Sequence, residues 1–259
     1  MGEGSNAVSE AIILAGGAGT RLRSVVADRP KPLAPVLDRP FLEWVLRSLA
    51  RQGVERSVLA VGYRAEQIRE HFGDGSALGM DLSYSEETTP LGTGGALRLA
   101  VERVRGPRVF VVNADSICDA QLALLERRHV AERASLTLWV SPVPDAARFG
   151  SVELDADDWV SAFREKTSLE AAAAPGASTK TSWVNAGVFL AETELIRQSL
   201  TLGRSASLEL ELLAKMPTRT MLAVRGQRPL LDIGTPGDYA SAERVIQELA
   251  GAAPGARGD

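Results

Sequence analysis

Cysteine and histidine are almost missing. A single cysteine, Cys118, among 259 residues rules out an intrachain disulfide and any zinc site built on cysteines. The two histidines, His71 and His129, fall far apart in stretches that read as polar helix. That excludes a histidine-based metal site and a Ser-His-Asp triad. Basic charge is short as well: 29 Lys and Arg against 33 Asp and Glu give a formal net charge of −4. A nucleic-acid binder would carry a basic footprint, so no nucleic-acid partner is expected. No apolar run approaches the roughly 18 residues of a membrane span. Residues 1–6 are polar and acidic, unlike a signal peptide, and Asn6 stands where a myristoylation signal needs Ser or Thr. The expectation is a soluble, cytoplasmic protein with no membrane partner.

What is present is regular. A 45% hydrophobic content in a chain this long can form a sizeable core without covalent staples. Apolar runs alternate with helical patterns. Strands are expected at 11–15, 57–61, 82–85, 109–112 and 136–140. Helices are expected at Phe41–Arg51, Ala65–Phe72, 93–104 (capped by Thr93) and 119–132. This repetition predicts an α/β fold, Rossmann-like, with three layers: a mostly parallel sheet with helices on both faces. Pro142 and Pro144 mark a change. Short strands follow at Ser151–Leu154, Val160–Arg164 and 184–190, around an Ala/Ser/Thr-rich segment at 168–182 expected to be a flexible loop. Two further helices are expected at 207–215 and 236–249. The reading is one domain over 9–249 with a small β-rich insertion, and flexible tails at 1–8 and 250–259.

The strongest local signal is Leu14-Ala15-Gly16-Gly17-Ala18-Gly19-Thr20-Arg21-Leu22, directly after the first strand. Glycines let backbone N–H groups approach an anion, and Arg21 adds a charged fork for phosphate oxygens. The run is no P-loop, since Gly-Lys-Ser/Thr is absent. It is no dinucleotide fingerprint either, since Leu22 replaces the last glycine and Val61-Gly62-Tyr63 lacks the acid. A dinucleotide-dependent oxidoreductase is thereby disfavoured. A tight strand-to-helix turn with glycines for packing is the lesser reading of the run. The second signal is Pro30-Lys31-Pro32, a lysine on stiff, extended backbone.

The pair together resembles the sugar-phosphate nucleotidyltransferases (sugar-nucleotide pyrophosphorylases). The resemblance extends, in the family's order, through Pro90-Leu91-Gly92-Thr93-Gly94-Gly95-Ala96, Asn113-Ala114-Asp115, Phe149-Gly150-Ser151-Val152-Glu153, Phe163-Arg164-Glu165-Lys166, Asn185-Ala186-Gly187-Val188-Phe189 and Asp232-Ile233-Gly234-Thr235-Pro236. Ala114 departs from the family's glycine. Within the family the chain is similar to guanylyltransferases that act on heptose 1-phosphates and on cyclitol phosphates. The resemblance implies the nucleotide-diphospho-sugar transferase fold, with a nucleotide-binding part at about 9–140 and a sugar-binding part at about 141–235.

It also implies the reaction NTP + sugar 1-phosphate → NDP-sugar + pyrophosphate. The nucleophile is already anionic, so no general base is needed. The implied partners are GTP and a sugar 1-phosphate, with a homo-oligomer left open, and the implied cofactor is Mg²⁺. By resemblance, Asp115 and Asp232 hold the metal; a helix-capping role for Asp232 stays open. Leu14, Ala15, Gly16, Gly17, Gly19 and Thr20 hold the nucleotide, with Pro90, Gly92 and Thr93 on the base side. Arg21 and Lys31 neutralise pyrophosphate and α-phosphate. Asn113, Gly150, Glu165, Lys166 and Asn185 belong to the sugar side. Relatives that use thymidine or uridine nucleotides tend to place a glutamine where Glu87 aligns. An ionised carboxylate only accepts, and guanine offers two adjacent donors, so Glu87 is expected to read guanine. Strand alternation sends Glu86 to the opposite face. The alternatives are the same reaction with UTP, dTTP or CTP or on a hexose or cyclitol phosphate, and a catalytically silent nucleotide-sugar sensor.

Overall fold

The computed structural model describes residues 7–17, 19–22, 24–143, 150–164 and 182–251. In chain order the elements are β1 (Glu10–Leu14), β2 (Pro35–Val36), β3 (Arg39–Pro40), α1 (Phe41–Arg51), β4 (Arg56–Val61), α2 (Ala65–Phe72), β5 (Asp81–Glu86), α3 (Gly92–Ala100), β6 (Arg108–Asn113), β7 (Ser116–Ile117), α4 (Leu122–Glu132), β8 (Leu136–Val143), β9 (Ser151–Leu154), β10 (Val160–Arg164), β11 (Ser182–Glu192), α5 (Thr193–Ser199), α6 (Leu208–Glu211), β12 (Met221–Arg225), β13 (Leu231–Asp232) and α7 (Pro236–Gly251). Nine strands form one sheet, in the order β10-β9-β11-β6-β1-β4-β5, with β8 beside β11 and β12 beside β8. Pairs β6–β1, β1–β4, β4–β5 and β8–β12 are parallel. Strands β11 and β10 run against the rest. No helix among the described residues is long and apolar enough to cross a membrane.

Period-two alternation decides which face each side chain serves. From β1, Ala11 and Ile13 enter the core under α1, α2, α4 and α7, while Ile12 enters the core under α3, α5 and α6. Strand β6 divides likewise: Phe110 and Val112 face one layer, Val109 and Val111 the other. Helix α1 presents Phe41, Leu42, Val45, Leu46 and Leu49 as one buried stripe, the spacing of an amphipathic surface helix. It ends at Gln52-Gly53, where Gly53 turns to φ +90°.

Several elements differ from the sequence reading. The helix expected at 119–132 begins at Leu122, because Asp119 is engaged elsewhere: it accepts from Trp139 Nε1 at 3.1 Å and from the Gln227 amide at 2.9 Å. The helix expected at 207–215 is a single turn, α6, followed by a 3-10 turn at Leu213–Lys215. Thr93 does not cap its own helix, whose N-cap residue Leu91 makes no side-chain bond. Strand β12 and helix α5 were not expected, and neither were the two-residue strands. His129 is not on a polar face. It is buried, with Nδ1 2.9 Å from Thr137 Oγ1 and Nε2 3.2 Å from Glu192. Of the expected tails, 1–6 and 252–259 lie outside the described residues, as does most of the segment at 168–182; Val8 is no tail residue, since it packs on the core and its amide donates to Glu126 at 3.1 Å, and α7 runs on to Gly251.

Candidate active site

Strands β1, β4, β5 and β6 end side by side at Leu14, Val61, Glu86 and Asn113. The carboxyl edge of such a sheet is where open α/β folds bind ligands. Two adjoining cavities lie there, of about 200 Å³ and about 560 Å³. Leu14, Gly17 and Asp115 line both.

The smaller cavity gathers Ala15, Gly19, Thr20, Arg21, Lys31 and Gly234 as well. The chain turns there because Gly19 adopts φ +57°, and a Cβ on it would stand 2.7 Å from Lys31 Cβ. The Leu22 amide closes the turn on the Gly19 carbonyl at 3.0 Å. Arg21 is exposed and has no hydrogen bond or ion pair to any described residue. Lys31 opens a 3-10 turn, Lys31–Leu33, entered through Pro30 at φ −68°, ψ 150°.

The lysine head joins two acids. Its Nζ donates to Asp115 Oδ2 at 2.7 Å and to Asp232 Oδ1 at 3.3 Å, and its side chain is 10% exposed. These acids are 117 positions apart in the chain, and a short antiparallel ladder brings them together. Strand β13 pairs with β7, Asp232 opposite Ser116 and Leu231 opposite Ile117, and the Ile233 amide donates to the Asp115 carbonyl at 3.0 Å. Burial, and after it the neighbouring Asp115 charge, raise the Asp232 carboxyl above its ordinary value, against the Lys31 ammonium. The capping role left open for Asp232 belongs to others: Thr235 Oγ1 accepts from the Asp238 amide at 3.3 Å and donates to the Asp238 carboxylate at 2.6 Å. Two converging hard carboxylates with an open side fit Mg²⁺, which takes one or two such ligands and completes its shell with water and substrate phosphate. Among the described residues no group of three or more Asp, Glu, His or Cys could hold a metal ion. Nearby Cys118 is partly buried, and burial pushes its thiol up to about 12.

The larger cavity is walled by Gly16, Gly62, Tyr63, Glu87, Pro90, Gly92, Thr93 and Asn113, among others. Glu87 and Glu86 part as alternation requires. Glu86 pairs outward with Arg69 at 2.8 Å. Glu87 turns inward, where its Oε2 accepts from the Leu91 amide at 2.9 Å. Its Oε1 lies over Gly62, so close that a Cβ there would sit 2.6 Å away. The Thr93 hydroxyl accepts from the Leu208 amide and donates to Glu209, both at 2.9 Å. It therefore ties the α3 entrance to α6. The Ala206 carbonyl takes the Gly94 amide at 2.9 Å and presses on Gly92, φ +68°. The bare backbone of Gly92 and Gly94 allows that contact.

The sugar-side residues are less gathered. The Asn185 amide donates to the Gly150 carbonyl at 3.3 Å, so these two are neighbours, but neither lines the two cavities. Asn185 Oδ1 instead takes the Gly187 amide at 3.0 Å inside an irregular stretch of β11. Gly187, at φ +71°, carries Asn113 against it: a Cβ would lie 2.7 Å from Asn113 Nδ2. Glu165 and Lys166 lie outside the described residues. Gly62, Tyr63 and Gly234 were missed as lining residues. For Gly62 the available signal was its place directly after a strand that parallels β1.

A glycine turn, a lysine and two carboxylates at a sheet edge, joined to a larger and mainly apolar cavity, define an enzyme for chemistry at nucleotide phosphates. The comparisons specify the group. The chain belongs to the nucleotidyl transferase family, whose model matches residues 10–248. It is 35% identical to D-glycero-α-D-manno-heptose 1-phosphate guanylyltransferase of Aneurinibacillus thermoaerophilus over 92% of this chain and 98% of that one. It is 33% identical to mannose-1-phosphate guanylyltransferase of Mycobacterium tuberculosis, over 96% of this chain and 67% of that one. Among solved structures, HddC from Yersinia pseudotuberculosis, complexed with GMP-PN, superposes with a TM-score of 0.78 at 28% identity, covering 92% of this chain and all of the other.

Proposed function

We propose that this protein transfers a guanylyl group from GTP to a heptose-type sugar 1-phosphate. An oxygen of the sugar phosphate forms the new bond to the α-phosphorus, the α–β bridging bond breaks, and pyrophosphate leaves. The observation that carries this reading is the convergence of Lys31, Asp115 and Asp232 beside the glycine turn, continuous with the cavity that holds Glu87. The heptose and guanine assignments are supported by the relatives above. No proton need leave the nucleophile, so positioning and charge neutralisation carry the catalysis.

In this reading the backbone of Gly16, Gly17, Gly19 and Thr20 cradles the phosphates, and Leu14 and Ala15 hold the turn in place. Arg21, with no hydrogen-bond or ion-pair partner among the described residues, meets the departing pyrophosphate. Lys31 meets the α-phosphate. Asp115 and Asp232 would hold Mg²⁺, which when bound supplies electrophilic stabilisation of charge on the phosphates. Glu87 accepts from the two donors of guanine, with Pro90 and Gly92 beside it, while Thr93 fixes the loop through Leu208 and Glu209. Asn113, Gly150, Glu165, Lys166 and Asn185 form the sugar side, and residues from about 141 to 235 hold that substrate. The test is pyrophosphate release across the four NTPs, paired with heptose, mannose, glucose and cyclitol phosphates. GTP with a heptose 1-phosphate should give the highest kcat/KM. Equal use of GTP and UTP would remove the guanylyl assignment.

A further inference from the structure

In this structure the Lys31 ammonium occupies the gap between the two carboxylates that the proposed reaction needs for a divalent ion. It lies within hydrogen-bond distance of both facing oxygens, 2.7 Å from Asp115 and 3.3 Å from Asp232. Its stem is hemmed in: Lys31 Cβ lies beside the bare backbone of Gly19, where a Cβ would stand 2.7 Å away, and prolines flank it on both sides. We propose that Lys31 is a resident cation that keeps divalent metal out of the Asp115–Asp232 pair until nucleotide phosphates draw the ammonium away. The proposal rests on the metal reading of those two carboxylates.

The argument is electrostatic. Two carboxylates and one ammonium leave one net negative charge, held by short charge-assisted bonds. A divalent ion held by the same two carboxylates would need the space that Nζ now fills. It would displace the ammonium into a cavity that offers no other described acid, or face a positive charge at a few ångströms. Nucleotide triphosphate changes the balance. The cavity wall that carries Lys31 also carries Gly17, Gly19 and Arg21, so phosphates bound there would offer the ammonium a new anion within reach of its tether. Metal and nucleotide then bind with positive coupling, and by linkage the coupling is reciprocal. Metal would arrive with the nucleotide or after it.

The test is Mn²⁺ binding, read by the electron paramagnetic resonance of free Mn²⁺, without and with GTP and in the absence of sugar phosphate. Lys31→Met removes the charge but keeps the length. It should bind Mn²⁺ about tenfold or more tightly than wild type when no nucleotide is present, within the usual range of coupling between sites, even though its turnover falls. Lys31→Arg restores a tethered cation and should return nucleotide-free Mn²⁺ affinity to the wild-type level. If Lys31→Met binds Mn²⁺ no better than wild type without nucleotide, the inference is overturned. Asp115→Asn separates the two layers: it should abolish the gain in a Lys31→Met background. If the gain survives there, the metal sits elsewhere, and the metal reading fails together with the gating.

Discussion

Substituting Gly62 by alanine tests the base site with little else disturbed. Gly62 is outside the left-handed region, so its backbone accepts a side chain. The obstacle is Glu87. A Cβ at 62 would stand 2.6 Å from Glu87 Oε1, 2.9 Å from its Cγ and 3.1 Å from its Cδ. Because Cγ is crowded as well as the tip, turning the carboxylate about its last bond gives no relief. The whole side chain must shift, by about 1 Å, and a misplacement of that size can cost a positioned reaction up to about a hundredfold. A lost hydrogen bond to a charged group costs about 1.5–3 kcal/mol, and 1.36 kcal/mol is tenfold in rate. Gly62→Ala should therefore lower kcat/KM for GTP by about ten- to a hundredfold, leave the weak use of UTP nearly unchanged, and lower stability by about 1–3 kcal/mol, the usual cost of overpacking. Steady-state pyrophosphate release with each nucleotide, beside a thermal melt, measures all three. The effect must run through the carboxylate. In a Glu87→Ala background the same change should do almost nothing, the non-additivity expected of residues that act through one another. An unchanged GTP:UTP ratio in Gly62→Ala, or an undiminished effect without Glu87, would refute the assignment of Glu87 to guanine.

Asp115→Asn should abolish turnover while the melt stays close to wild type, since Lys31 keeps Asp232 as partner; near-full pyrophosphate release would contradict a metal role. Arg21→Ala should cost about two to three decades in kcat, the loss typical of one preorganised donor, with an unchanged fold because Arg21 is exposed; a rise in KM alone points to ground-state binding instead. Burial lowers the pKa of His129 below its ordinary 6.5. The unfolded chain therefore takes up this proton first as pH falls, and stability should drop from about pH 6.5 downward until the folded-state pKa is reached. Urea midpoints at pH 7.5 and 5.5 should show a slope that His129→Gln reduces; an equal slope in the variant assigns the loss to other groups. Gly92→Ala should destabilise the fold and blunt nucleotide use, because φ +68° and an Ala206 carbonyl 2.6 Å from the new Cβ leave it no room; an unchanged melting temperature would mean the α3 entrance yields.

The sequence by itself determined the layered α/β order, while the chemistry class came from the resemblance of its ordered motifs to a known family. For the order the reason is local. Period-two strands and period-3.6 helices are written residue by residue, and a glycine turn or a Pro-Lys-Pro segment adopts its shape largely from its own backbone. The facing of Glu86 and Glu87 followed from alternation alone. What needed the tertiary structure were features set by distant partners. Strand β12 reads as an unremarkable apolar stretch until β8 lies beside it. Helix 119–132 looked longer because nothing near Asp119 in the chain announces Trp139 or Gln227. Thr93 and His129 were assigned from their local helices, yet their bonds go to Leu208, Glu209, Thr137 and Glu192. The joining of Asp115 to Asp232 depends on the β7–β13 ladder, too short to carry a pattern, and the lysine between them lies 84 residues from one and 201 from the other. Local backbone preference is legible in a sequence because neighbours impose it; the meeting of three charges is decided only when packing closes the chain around them.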